Sequence, residues 1–244
     1  MNTRILATIA IGFSFTTTAQ AALVARGTDM VYDTVNNITW AADANLFKTQ
    51  AASNPNLVSQ IIAANGGVIH DTPNALDTVP NSGVYSLTSS DFNTNNGTMT
   101  WWGAQAWANN LSLGGYTDWA LPTTVPAVAG FNQTGSQLGN LFYTQLGGVA
   151  HYSITTTHNA NYNLFSNVQS NVYWSSSEYA PSPDDAWHFY TYDGRQTNYY
   201  KNVQLYAWAV RPGDVTAVPL PGAIWLFLSG LIGLMGLKRR GSIG

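Results

Sequence analysis

The sequence predicts an α+β domain with two short helices and antiparallel strands, followed by a single C-terminal transmembrane helix. Two segments, opening at Thr100 and Ser136, repeat apolar residues at helical spacing. The last third of the body holds four runs rich in aromatic and β-branched residues, with the turn pair Asp193-Gly194 between two of them. Both ends of the chain read as targeting segments rather than as parts of the fold.

Residues 1–21 carry one cation, Arg4, then an apolar stretch from Ile5 to Phe15 and a polar Thr16-Thr17-Thr18 leading into Ala19-Gln20-Ala21. The small residues Ala19 and Ala21 suit signal peptidase, which places the mature start near Ala22. Met30–Tyr32 and Ile38–Trp40 are short β signals joined by a turn at Val35-Asn36-Asn37. Residues 50–96 are dense in Asn, Pro, Ser and Gly, so a loop-rich insertion is expected there, with a helix only at Leu57–Ala64.

Thr100 is an N-cap residue, and Ala104, Trp107, Ala108 and Leu111 share one helical face that ends at Gly114-Gly115. A second helix is expected from Ser136 to Leu146, with Leu138, Leu141, Phe142 and Leu146 inward and Gly147-Gly148 as its stop. Strands are expected at Val172–Trp174, Ala186–Tyr192, Gln196–Tyr200 and Tyr206–Val210. Along Ala186–Tyr192, alternation sends Trp187, Phe189 and Thr191 to one face and His188, Tyr190 and Tyr192 to the other, with one face open to solvent.

Residues 22–216 form one domain by length. Their five cations (Arg26, Lys48, Arg195, Lys201, Arg211) face twelve acids, which excludes the basic stripe that nucleic-acid binding needs. The chain has no cysteine, which removes thiolate metal sites, cysteine nucleophiles and disulfides together.

Beyond the domain, Ala223 to Leu237 is a run of fifteen residues without charge, preceded by Val218-Pro219-Leu220-Pro221-Gly222 and followed by Lys238-Arg239-Arg240. Counted from Ala217 the run spans roughly 30 Å as a helix, about one bilayer core. The cationic triplet belongs on the cytoplasmic side, so the body faces outward. The segment 217–240 resembles the PEP-CTERM sorting signal, which implies recognition by an exosortase, a membrane protease. Leu220 stands where that motif has Glu.

Four segments of the body resemble the Lcl C-terminal domain family. They are Ile38-Thr39-Trp40 through Asn45-Leu46, Trp102 through Trp107 leading to Trp119-Ala120-Leu121-Pro122, Tyr173-Trp174-Ser175-Ser176-Ser177, and Ala186-Trp187 through Gly194 to Val210-Arg211-Pro212. The resemblance implies a C-type-lectin-like fold, two helices beside twisted antiparallel sheets. Family members usually have Arg where this chain has Ala120, so any ion pair made by that Arg is expected to be missing. Related oxidases bind copper through cysteines, which this chain lacks, and no cofactor is expected.

Glu178, Asp184, Asp185 and His188 are the densest polar group, read as a solvated acidic loop followed by a strand histidine. His70, His151 and His158 have no metal-ligand spacing and are assigned to loops or surface, and no metal site is expected. Ser175-Ser176-Ser177 lacks the frame of a nucleophile elbow and reads as strand-end hydrogen bonding. Trp107, Trp119 and Trp174 are assigned to the core, whereas Trp101, Trp102, Tyr190, Tyr192, Tyr199 and Tyr200 are candidates for stacking on sugar rings.

The expected ligand-binding residues are Asp185, His188, Tyr190, Tyr192 and Arg195, with no catalytic set. These features predict an exported, non-enzymatic protein of the outer surface or extracellular matrix of a Gram-negative-type bacterium, held in the inner membrane by its tail. Its expected partners are signal peptidase, exosortase and a polysaccharide. A polysaccharide hydrolase using Glu178 and Asp185, and a purely structural matrix or adhesion protein, are the alternatives.

Overall fold

The computed structural model describes residues 23–215. The expected signal segment and the sorting segment 217–240, with Val218, Pro219, Leu220, Pro221, Lys238, Arg239 and Arg240, lie outside the described residues. Among the described residues no helix is long and apolar enough to cross a membrane.

One antiparallel sheet holds β1 (Leu23–Arg26), β2 (Met30–Asp33), β3 (Ile38–Ala41) and β11 (Val210–Pro212), in the order β1-β2-β3-β11. The expected N-terminal hairpin is present, and β1 adds an edge strand that the sequence pattern did not announce. Its β2–β3 turn is tied by the buried Asp33, whose Oδ1 accepts the Val35 and Asn36 amides at 2.9 and 3.0 Å. Asn37 takes φ 51°, a left-handed backbone that Asn tolerates better than most residues.

A second antiparallel sheet has the order β10-β9-β8, from β8 (Val172–Glu178), β9 (Asp185–Tyr190) and β10 (Gln196–Tyr200). Its register sets Trp174 opposite His188 and His188 opposite Thr197. β8 is irregular between Trp174 and Glu178, where Ser176 donates to the Pro122 carbonyl at 2.8 Å and Ser177 Oγ accepts the Thr124 amide at 2.9 Å. The triple serine thus makes strand hydrogen bonds to a neighbouring segment, as expected.

The expected strand Tyr206–Val210 is instead a crossing between the sheets. The Tyr206 amide donates to Val172, whereas the Ala209 carbonyl accepts from Ala41, so regular pairing starts only at Val210. Trp208 fills the space between the sheets, its ring 5.5 Å from Trp40, 5.1 Å from Phe165 and 5.5 Å from Tyr173. Its indole N–H donates to the Ala41 carbonyl at 2.8 Å, which satisfies the one polar atom that burial would otherwise strand.

Among the described residues four helices pack around these layers. α1 (Leu46–Ser53) was not anticipated, whereas α2 (Leu57–Ala64) was. α3 (Trp101–Asn109) starts as expected, the Thr100 hydroxyl accepting the Gly103 amide at 3.2 Å. It stops earlier than expected, because the Asn110 side chain caps the Ala106 carbonyl at 2.9 Å. Gly114 and Gly115, at φ 62° and 82°, form a tight turn between Leu113 and Tyr116 instead of a helix cap.

α4 (Gln137–Gly139) opens on the Ser136 cap and widens into a π-turn, Asn140–Gln145. Leu138, Leu141, Phe142 and Leu146 are all buried, and Gly147 leaves the turn with φ 72°.

The expected loop region 50–96 is built rather than loose. It holds α2, the pair β4 (Val68–His70) and β5 (Val84–Ser86), a 3₁₀ turn at Ser89–Asp91, and β6 (Phe92–Asn93), which pairs with β7 (Thr98–Met99). Buried carboxylates organise it: Asp77 accepts the Gly83 amide at 2.6 Å, and Asp91 accepts the Thr88 amide at 2.7 Å and the Thr100 hydroxyl at 2.8 Å.

Replacing Trp208 with Ala removes the packing between the sheets and one buried hydrogen bond. We expect a loss of about 3–5 kcal/mol in unfolding free energy, measured by urea titration.

Candidate aromatic groove and buried lysine centre

β9 has the alternation that its sequence announces. Phe189 packs on Phe142 at 5.4 Å and Trp187 on Tyr179 at 5.3 Å, while His188 and Tyr190 lie on the opposite face. That opposite face is not simply open, however. His188 is 1% exposed, Tyr190 is half-buried and Tyr192 is 44% exposed, so the face opens gradually toward the hairpin end.

The connection is longer than a two-residue turn. Tyr190 donates its amide to the Arg195 carbonyl and accepts from the Gly194 amide, both at 2.8 Å, and Asp193 Oδ1 accepts the Arg195 amide at 2.9 Å. Gly194 sits at φ 83° against Tyr143 and Phe142, where a side chain has no room.

Val172, His188, Tyr190, Tyr199, Val203 and Leu205 line a groove of about 150 Å³ on this face. Exposed tyrosines flank it: Tyr192 meets Tyr190 at 5.0 Å and Tyr199 is 51% exposed, whereas Tyr200, paired with Asp185, belongs by alternation to the Trp187 face. His188 forms the floor, its ring 4.8 Å from Tyr190 and 6.4 Å from Tyr199. Neither ring nitrogen has a hydrogen-bond partner.

Burial pushes the His188 imidazole down to about 4; Arg195 adds slightly to this, and the nearby Ala186 carbonyl opposes it. Burial also raises the Tyr190 and Tyr192 phenols, with Arg195 opposing. Arg195 is exposed and forms no ion pair among the described residues.

Of the five expected ligand residues, the structure gathers His188, Tyr190, Tyr192 and Arg195. Asp185 stands apart at the start of β9, opposite Tyr200, where strand alternation gives it the Trp187 face. Burial raises its carboxyl group, Asp184 adds to this, and Lys201 opposes it.

The expected solvated acidic loop is corrected by a feature that the sequence did not reveal. Lys201 is fully buried, its ammonium 2.7 Å from Asp71 and 2.8 Å from Glu178. It also lies 4.7 Å from the Trp101 ring centre and 5.9 Å from that of Trp102. Trp102 donates its indole N–H to Asp71 at 2.9 Å and stacks flat on Tyr85 at 3.8 Å. Glu178 accepts the amide and hydroxyl of Thr72 at 3.3 and 3.2 Å, and Asp184 accepts the Ala75 amide at 2.7 Å.

Glu178 and Asp184 therefore clamp the 71–75 segment at the edge of the buried centre, with a quarter of the Glu178 side chain still exposed. Trp101 and Trp102 are buried parts of this centre, not stacking platforms. Asp71 and Lys201 are 130 residues apart, and the only hint in the sequence was a lone lysine directly after an aromatic strand.

The remaining histidines are dispersed. His70 is exposed on β4, His151 packs on Phe131 at 4.0 Å, and His158 stacks on Tyr162 at 4.0 Å. Among the described residues no three His, Cys, Asp or Glu side chains are placed to hold a metal ion.

With this geometry in hand, comparison of the chain with known families finds a match to the Lcl C-terminal domain over residues 29–211. The chain belongs to the Lcl C-terminal domain family. No curated protein and no solved structure matches it. In this Lcl C-terminal domain Ala120 pairs through its backbone with Val210, and the neighbouring positions carry an ion pair of their own. Arg211 grips Asp118 through two bonds of 2.7 and 2.9 Å while its guanidinium lies 4.0 Å from the centre of the Tyr116 ring. A buried arginine, Arg211, thus lies next to the residue that pairs with Ala120.

Two outcomes follow for stability. Lys201→Met leaves Asp71 charged and unpaired in the interior, so it should cost about 3–5 kcal/mol, with part recovered when Asp71→Asn is added; urea midpoints of the three variants check this. For His188, the unfolded chain takes up a proton near pH 6.5 that the folded chain refuses until about pH 4, so stability falls as pH drops through that window. His188→Gln should remove a loss on the order of 3 kcal/mol between pH 7 and pH 4, read as the difference between wild-type and variant unfolding curves.

Proposed function

We propose that this protein is a non-enzymatic, exported envelope or exopolysaccharide-associated protein whose Lcl C-terminal domain binds glycan or another surface component. The observation that carries the reading is the pair of exposed tyrosines that flank the His188 groove, since Tyr192 and Tyr199 are 44% and 51% exposed. A domain gains nothing by exposing such rings on one face of a sheet, whereas the apolar face of a sugar ring stacks on them. We read the domain as C-type-lectin-like and the 217–240 tail as a PEP-CTERM signal. Signal peptidase and an exosortase are its processing partners, and the tail is a membrane helix that holds the body outside the inner membrane.

Binding is favoured over polysaccharide hydrolysis by the state of the carboxylates. Both oxygens of Glu178 are engaged, one by Lys201 and the other by Thr72, and Asp185 lies away from the groove. Neither is poised for proton transfer at an open surface. A structural matrix role differs only in lacking a defined ligand.

Residues 22–216, mixed with exopolysaccharide from a producing strain, should be retained on the polymer, and the Tyr192→Ala/Tyr199→Ala pair should lower retention about tenfold or more without shifting the melting temperature. Equal retention of the variant, or no retention of the parent across several exopolysaccharides, rejects the reading.

A further inference from the structure

We propose that the groove over His188 is a subsite for a single uncharged sugar ring that presents a hydroxyl group to the imidazole. This rests on the glycan-binding reading and narrows it to a ligand class. At about 150 Å³ the groove is smaller than the pockets that enclose drug-sized ligands, which matches one ring of a glycan rather than a buried oligosaccharide.

Its walls select against charge. Val172, Val203 and Leu205 are aliphatic, Tyr190 and Tyr199 are aromatic, and none of the six lining residues carries a full charge at neutral pH. A carboxylate or sulfate drawn inside would shed its water without gaining a cationic partner. Arg195, the nearest free cation, is out in solvent with Asp193 beside it, so it offers no desolvated counter-ion.

The floor is polar and incomplete. His188 is buried, and both of its ring nitrogens lack partners. A neutral imidazole presents one N–H donor and one acceptor nitrogen, and a hydroxyl group can answer either. Buried polar atoms are normally paired; the Ala186 carbonyl is near this ring without making a hydrogen bond to it, so an unfilled position on the ring marks where a ligand atom gains most. Entry requires one movement. Tyr199 lies edge-on to the imidazole and is 51% exposed, so its turning aside widens the approach to the ring.

The test uses the full chain in detergent micelles, with methyl glycosides of neutral hexoses and N-acetylhexosamines as probes and the methyl glycosides of the matching hexuronic acids as controls. Saturation-transfer NMR and calorimetry read the binding. At least one neutral glycoside should bind, its uronate counterpart should bind about tenfold more weakly or not at all, and His188→Phe should cost about tenfold in affinity. Leu205→Trp, which fills the groove from the opposite wall, should abolish binding and serves if His188→Phe disturbs the near-UV circular dichroism.

Uronates binding as well as neutral sugars, or unchanged affinity in both variants, overturns the subsite. Retention on polymer by the outer tyrosines with no response to any single glycoside also overturns it, while leaving the wider glycan-binding proposal intact. Loss of polymer retention as well would sink both.

Discussion

The ammonium of Lys201 is the point on which this arrangement depends. Burying a cation is costly, and the fold offsets the cost by surrounding it with two carboxylates and the faces of two indoles. Each partner is itself held: Asp71 by the Trp102 indole, Glu178 by Thr72. Three distant parts of the chain thereby meet, namely the start of the segment after β4, the end of β8 and the residue that follows β10. The Lys201 backbone extends the tie, since its amide donates to Asp184 and its carbonyl accepts the amide of Trp101 at the head of α3. Tyr199, which lines the groove, lies two residues before it, so the placement of that exposed ring follows from a charge in the interior.

A chain without cysteine must specify its core by other means, and here indole N–H groups do much of that. Trp174 donates to the Met99 carbonyl, Trp101 to that of Ser175, Trp208 to that of Ala41 and Trp107 to the Gln50 side chain, all within 2.8 to 2.9 Å. A large ring buried among other rings has many packing solutions of similar energy. A donor that must reach one particular acceptor leaves few of them, because a buried N–H left unpaired loses its hydration without recompense.

What the sequence disclosed and what it hid divide along the range of the interactions. α3 was legible because Thr100 and the Ala104, Trp107 and Ala108 face are local signals, and the β9–β10 hairpin because Asp193-Gly194 lies between alternating strands. His188, Tyr190, Tyr192 and Arg195 were legible as neighbours for the same reason, since one hairpin carries them all. The order within residues 50–96 was hidden, because Asp77 and Asp91 build it from carboxylate-to-amide bonds that leave no hydrophobic period. The Lys201 centre was hidden because its members are far apart in sequence. Asp185 was misplaced because proximity along the chain was taken to outweigh the alternation that turns successive strand residues to opposite faces.

The same alternation explains why a groove forms where it does. The β9 face that carries Phe189 is packed at that residue by Phe142 and Tyr143 of the π-turn. On the other face the covering chain, 203–205, contributes only Val203 and Leu205 to the groove wall, and beyond them the sheet runs uncovered into its hairpin. Exposure therefore rises along a single strand, from His188 through Tyr190 to Tyr192, over two steps of the pleat. A ligand meeting this surface encounters aromatic area first and an unpaired imidazole last. In the proposed reading, apolar contact that tolerates many sugars lies outside a deeper position that discriminates by hydrogen bonding, the order in which a surface polymer and one of its rings would be recognised.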